Sequence, residues 1–239
     1  MEVPTAWLGA NECGGVQMKS FGLAALLSFN GGFVDTAGFL GLQGLFTAHV
    51  TGNFVTLAAT LVLGTHGIIA KLIALPEFVL VVAMARVADT AMRAKGLPSL
   101  PILLVAKVCF LLAFFVLAVV YGPFPDSDAP AALLTGFAGI AGMAIQNAVQ
   151  RVHFASIPPT TLMTGNTTQA VLDAVDLIGG IAPDNATVVR TRFARTLRGI
   201  VWFALGCAVA AVLYYWIGFW CLGLPVVVSA ATAVLHKQD

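Results

Sequence analysis

His49-Val50-Thr51-Gly52-Asn53 and Leu162-Met163-Thr164-Gly165-Asn166 are two versions of one phrase. They stand 113 residues apart in a chain of 239, so each falls at a similar place in one half of the molecule. Each leads into a short segment with polar edges, and apolar sequence surrounds both. A polar, glycine-bearing phrase repeated within hydrocarbon-facing sequence points to a duplicated membrane fold with a site where the repeats meet.

The surrounding composition is that of an integral membrane protein. Hydrophobic residues make up 59% and charged residues 10%, against about 25% charged in soluble domains; the mean hydropathy is +0.93. A net charge of +1 argues against a nucleic-acid partner. Cys13, Cys109, Cys207 and Cys221 are scattered, with no CxxC and no Cys/His cluster. They read as small apolar side chains, and no metal or other cofactor is expected. Residues 1–20 have no basic cluster ahead of an apolar run, so they read as a loose cytoplasmic arm and not as a signal peptide.

A spanning helix needs about 20 mostly apolar residues. Six segments meet this at least loosely: 21–46, 72–92, 101–121, 131–150, 199–219 and 220–236. Two shorter ones, 51–64 and 164–179, directly follow the repeated phrase, and the second carries Asp173 and Asp176. Each aspartate costs about 2.5–3.5 kcal/mol at a membrane centre, which argues against a lipid-exposed span. The expected fold is therefore all-α, with a first repeat over 21–122 and a second over 131–239. Each repeat contributes three spans and a re-entrant short helix, and the two are inverted. The alternative is eight full spans in parallel repeats. Basic residues arbitrate: six crossings put nine Lys/Arg on the side of the N-terminus and only Lys71 opposite, whereas eight crossings give seven against three. Six crossings with both termini cytoplasmic is the better account. Pro158 and Pro159 keep the approach to the second short helix out of helical conformation. Such backbone survives at membrane depth only inside protein or beside water.

The stretches Gly32-Phe33-Val34-Asp35-Thr36-Ala37-Gly38-Phe39-Leu40 and Gly44-Leu45-Phe46-Thr47-Ala48-His49-Val50-Thr51-Gly52-Asn53, with Gln146-Asn147-Ala148 and Thr160-Thr161-Leu162-Met163-Thr164-Gly165-Asn166, carry a resemblance. In these, and in length and hydropathy, the chain resembles the YoaK-like family of small bacterial multi-pass membrane proteins, a domain of unknown function. The resemblance implies an inner-membrane location and supplies no activity.

The residues suggest a small-solute transporter or channel, for an anion or a polar neutral solute. Thr51, Gly52, Asn53, Thr164, Gly165 and Asn166 are the candidate binding residues. As helix starts, Thr or Asn would supply a capping oxygen and Gly a sharp turn or close approach. Two such ends near the midplane would aim free N–H groups and positive dipole ends at the membrane centre. Asp35, a carboxylate in the first span, is the candidate proton-coupling group; Gln146 and Asn147, at the corresponding place in the second half, are candidate gate or relay residues. His49 is a candidate relay. Arg86 and Asp89, three apart on one helix face, together with Lys107 form a candidate cytoplasmic gate. Glycines at three-residue spacing, Gly38/Gly41/Gly44 and Gly136/Gly139/Gly142, suit close helix packing. The expected partners are the lipid bilayer, a solute or ion and, as one option, further copies of the chain. A non-transporting scaffold is the main alternative. An embedded enzyme fits less well, because HExxH, GxSxG and paired-carboxylate metal motifs are lacking.

Overall fold

The computed structural model describes residues 10–180 and 182–235. The first nine residues of the expected arm, and 236–239 of the second repeat, lie outside them. Among the described residues the chain is all helix: α1 (Ala10–Gly41), α2 (Gly52–Leu63), α3 (Ile68–Ala94), α4 (Ser99–Tyr121), α5 (Pro130–His153), α6 (Met163–Gly179), α7 (Pro183–Ile217) and α8 (Gly223–Leu235). A 3-10 turn, Gly218–Leu222, joins the last two. Five stretches are long and apolar enough to cross a membrane: Gly22–Gly41, Ile68–Ala94, Ser99–Tyr121, Pro130–His153 and Asn185–Val234. The fifth contains α7, the turn and α8.

Three expectations need correction. The expected loose arm is helical from Ala10 and continuous with α1. α7 begins at Pro183, well before the expected 199, so Arg190, Arg192, Arg195 and Arg198 lie on a helix and not in a connecting loop. α8 has 13 residues, fewer than the roughly 20 of a full span. Pro183 and Pro130 start α7 and α5, where proline's missing N–H costs nothing.

Loop chemistry fixes the directions of the helices. The Asp128 carboxylate accepts the N–H groups of Gly67, Ile68 and Ala70, capping α3. The Gln43 side chain, just past α1, donates to the carbonyls of Phe124 and Pro125. The end of α1, the start of α3 and the α4–α5 loop therefore share one end of the molecule, the Asp128 end. At the opposite end, the Asp89 end, α3 finishes, α4 starts and α5 finishes, held by Ser99 Oγ (2.7 Å) and His153 Nε2 (2.9 Å) on the Asp89 carboxylate. α1 runs toward the Asp128 end and α5 away from it.

Helix pairings come in matched sets. α1 packs on α7 and α5 on α3; α4 packs on α5 and α1 on α8; α2 lies on α3 and α6 on α7. Phe33, Leu42, Leu45, Phe114, Ile140 and Met143 are among the fully buried side chains of the core. α1 and α7 meet backbone to backbone: a Cβ on Gly32 would strike the carbonyl of Phe203, and one on Gly206 the carbonyl of Phe29. The glycines of α5 receive other elements. Gly136 faces Leu45, Gly139 faces Thr47 and Phe114, and Gly142 faces Leu111.

Candidate functional site

After α1 the chain doubles back along it. One Asp35 oxygen, Oδ1, accepts the N–H groups of Thr47 (2.8 Å), Ala48 (2.7 Å) and His49 (3.2 Å). Asp35 lies about 9 Å before the end of α1, at 1.5 Å per residue, so the loop has returned that far when α2 begins. α2 then leads back to the Asp128 end, where Gly64 closes it in the left-handed conformation at φ 64°. Asn53 clamps the returning strand: its Oδ1 accepts Phe46 N–H (2.9 Å) and its Nδ2 donates to Phe46 O (2.8 Å). Gly52 is small because the Phe46 ring lies on it; a Cβ there would sit 2.9 Å from Cδ2.

The second half repeats the manoeuvre with different groups. Beyond α5 the chain turns back, and α5 holds it at three levels. Gln150 Nε2 donates to Ile157 O (2.9 Å), Gln146 Nε2 to Thr160 Oγ1 (3.2 Å), and Thr161 Oγ1 to Asn147 Oδ1 (2.7 Å). Gln146 and Asn147 thus perform for the second loop what Asp35 performs for the first. Asn166 Nδ2 donates to Pro159 O (2.7 Å), the same seven-residue reach as Asn53 to Phe46. The expected side-chain caps are corrected here: neither Thr51 nor Leu162, the two capping positions, makes a side-chain cap hydrogen bond. The asparagines act on the loops instead.

A cavity of about 1130 Å³ opens where the second phrase begins. Thr164, Gly165 and Asn166 line it, as do Arg151, Arg192 and His49. The first phrase's His49 and the second phrase's helix start therefore face one space. Thr51, Gly52 and Asn53 do not line it; Asn53 is buried behind the loop that presents His49. Gly165 has no other side chain or distant backbone within 4 Å of a notional Cβ, so the α6 N-terminus is open. Among the described residues no acidic side chain lines it. Of the three lining arginines, Arg192 is already paired with Asp173; the N–H groups of the α6 start and the Arg151 guanidinium make the wall suited to negative charge.

The other charged candidates lie apart from this space. Asp89 is buried and receives Arg86 (3.1 Å) and Arg93 (3.1 Å) as well as Ser99 and His153. It ties α3, α4 and α5 together at one end. Lys107 does not join it. Its side chain is fully buried, and its Nζ lies 3.2 Å from the side-chain amide of Asn30, which also meets Ser229 Oγ at 2.9 Å. Asp173, buried on α6, is held by Arg192 of α7 through Nη2 at 2.6 Å. That hydrogen bond keeps the Asp173 carboxyl below the usual carboxylate range. Sequence reasoning passed over Glu77, whose Oε2 is buried on α3 with no partner among the described residues. It also passed over Gln150 and Arg151. The signal for Glu77 was available, since a carboxylate within an apolar span is costly. Among the described residues no group of three His, Cys, Asp or Glu could hold a metal ion.

The family model described as protein of unknown function (DUF1275) matches residues 23–235, and the chain belongs to that family. Neither the curated proteins nor the solved structures yielded a match.

Proposed function

We propose that this member of the DUF1275 family moves a small anionic or polar neutral solute across the membrane, through a site where two inverted three-span repeats meet. The observation that carries the reading is the cavity shared by His49 from one half and Thr164, Gly165 and Asn166 from the other. The matched helix pairings, the opposite directions of α1 and α5, and the two returning loops with asparagines reaching back seven residues all support inverted repeats with re-entrant α2 and α6. Arg93, Lys95, Arg151 and the arginines of α7 gather at the Asp89 end, which makes that end cytoplasmic in this reading. The membrane is then the bacterial inner membrane, as the likeness to YoaK-like proteins implies.

The two halves differ in a way that suits alternating access. Around α6 there is open space. Around α2 the corresponding volume holds the Phe46 ring, packed on Phe39 (centroids 4.8 Å) and His49 (5.6 Å). The arrangement described is open toward the cytoplasm and closed toward the outside. Asp35 is the proposed coupling group: its charge strengthens the three N–H bonds to Oδ1, so a proton on the carboxyl would weaken its hold on the first loop. His49 and Cys207 are the titratable groups beside it.

The test is uptake of radiolabelled anions and polar neutral solutes into proteoliposomes by the wild type and by Gly165→Phe. A Cβ at Gly165 meets nothing within 4 Å and the position is exposed, so the variant should keep the wild-type melting temperature and lose uptake. Equal uptake by both, or none by the wild type across the panel, overturns the reading.

A further inference from the structure

The difference between the two asparagine clamps narrows the solute class; the inference rests on the cavity being the transport site. Asn53 satisfies both ends of its amide on one residue, because Phe46 offers an N–H and a C=O. At the matching position in the second half stands Pro159, which has no N–H. Asn166 can therefore use only Nδ2, on the carbonyl of Pro159. Its Oδ1 has no donor among the described residues. The amide cannot turn over, since that would set oxygen against the Pro159 oxygen. Asn166 is 5% exposed and lines the cavity; its Oδ1 is not sealed from solvent, so the cavity is where this acceptor can find a donor.

An acceptor there and donors nearby set a two-part requirement. The open start of α6 at Thr164 and Gly165, with Arg151 on the same wall, favours a negative group; Arg192 beside it is already paired with Asp173. Asn166 Oδ1 favours an N–H or O–H and repels a second anionic oxygen. We infer that the solute is a small organic anion bearing a hydrogen-bond donor beside its charged group, the class of α-hydroxy acids and N-acylamino acids. Anions without a donor would leave Asn166 Oδ1 facing lone pairs.

The full chain in nanodiscs is titrated calorimetrically with pairs matched in size and charge, lactate against propionate and glycolate against acetate. The hydroxy member should bind about tenfold more tightly, the effect of one buried hydrogen bond. Pro159→Ala restores an N–H that Asn166 Oδ1 can take, as Asn53 takes that of Phe46, so the preference should fall to near one while Asn166 remains. Asn166→Leu should abolish it independently. Equal binding within the pairs overturns the inference. So does a preference that survives both substitutions, or no binding of any of the four at millimolar concentration. Selective binding without flux in proteoliposomes would sustain this inference and overturn transport; unselective flux of the same anions would do the reverse.

Discussion

Asp35 shows how much one carboxylate can hold. Three backbone N–H groups share its Oδ1, and none has another partner if the side chain is removed. Leaving buried donors unsatisfied costs about 1–3 kcal/mol each, so Asp35→Leu should destabilise on the order of 3 kcal/mol or more. Asp35→Asn keeps an oxygen for the loop and should cost less than half of that in a detergent melt. If the coupling proposal holds, Asp35→Asn should still bind solute but lose pH-driven accumulation. Unchanged accumulation would leave Asp35 an anchor only. The asparagines give a second test. Asn53 lies behind the loop that presents His49, and Asn166 lines the cavity, so both affect one site from different sides. Asn53→Leu and Asn166→Leu should each weaken solute binding, and their double-mutant cycle should show coupling of at least ~0.5 kcal/mol. Strict additivity with intact transport would refute a shared site. The sequence revealed the asparagines through their repetition. It did not reveal that they act on Phe46 and Pro159, because a seven-residue reach depends on the path of the loop and not on any local propensity.

At the scale of elements, hydropathy located six of the eight helices and the repeated phrase the other two, to within a few residues at most boundaries, because a spanning helix demands a long apolar run. The exceptions are the starts of α1 and α7, which extend through polar sequence. There, tertiary partners sustain the helix: on α7, Arg192 reaches Asp173 of α6. That pair predicts an acid sensitivity. The Asp173 carboxyl titrates below its unfolded value, so its contribution is present above about pH 4 and is lost as the pH falls through its folded pKa. Arg192→Met should destabilise the α6–α7 hairpin and remove this acid step, and adding Asp173→Asn should recover part of the loss. A larger loss in the double variant would show that the pair does not latch the hairpin. The closest helix contact was not legible at all. Gly38, Gly41 and Gly136, Gly139, Gly142 announced themselves by spacing, whereas Gly32 and Gly206 lie in different helices outside any such spacing and are paired only by the fold. Gly32→Ala and Gly206→Ala each place a methyl against a backbone carbonyl that cannot rotate away. Each should cost about 1–3 kcal/mol, as overpacking does. A neutral melt for both would mean that α1 and α7 can separate freely.

For the whole molecule, the question that decides the mechanism is whether α2 and α6 return to the surface they came from. Phrase repetition and basic-residue counts both favour return, and so does the geometry of the loops, but a membrane-sidedness measurement settles it directly. Ser99, at the start of α4, and Ser127, in the α4–α5 loop, are diagnostic by position but buried, so cysteines there would not label. Thr65, between α2 and α3, and Lys95, between α3 and α4, are both exposed. Thr65→Cys and Lys95→Cys are therefore made in a version with Cys13, Cys109, Cys207 and Cys221 replaced, and intact cells are treated with an impermeant maleimide. With six crossings and a cytoplasmic N-terminus, Thr65→Cys labels from outside and Lys95→Cys only after permeabilisation. With eight crossings the two results exchange, because α2 then carries the chain to the inside before α3 begins. The exchanged pattern would also undo the shared site: α2 and α6 would be parallel spans, their N-termini would face the same surface, and the cavity beside Asn166 would be a vestibule of one half alone. The expected pattern leaves both helix starts at membrane depth, approached from opposite sides, which is the condition under which His49 and Asn166 can serve a single solute.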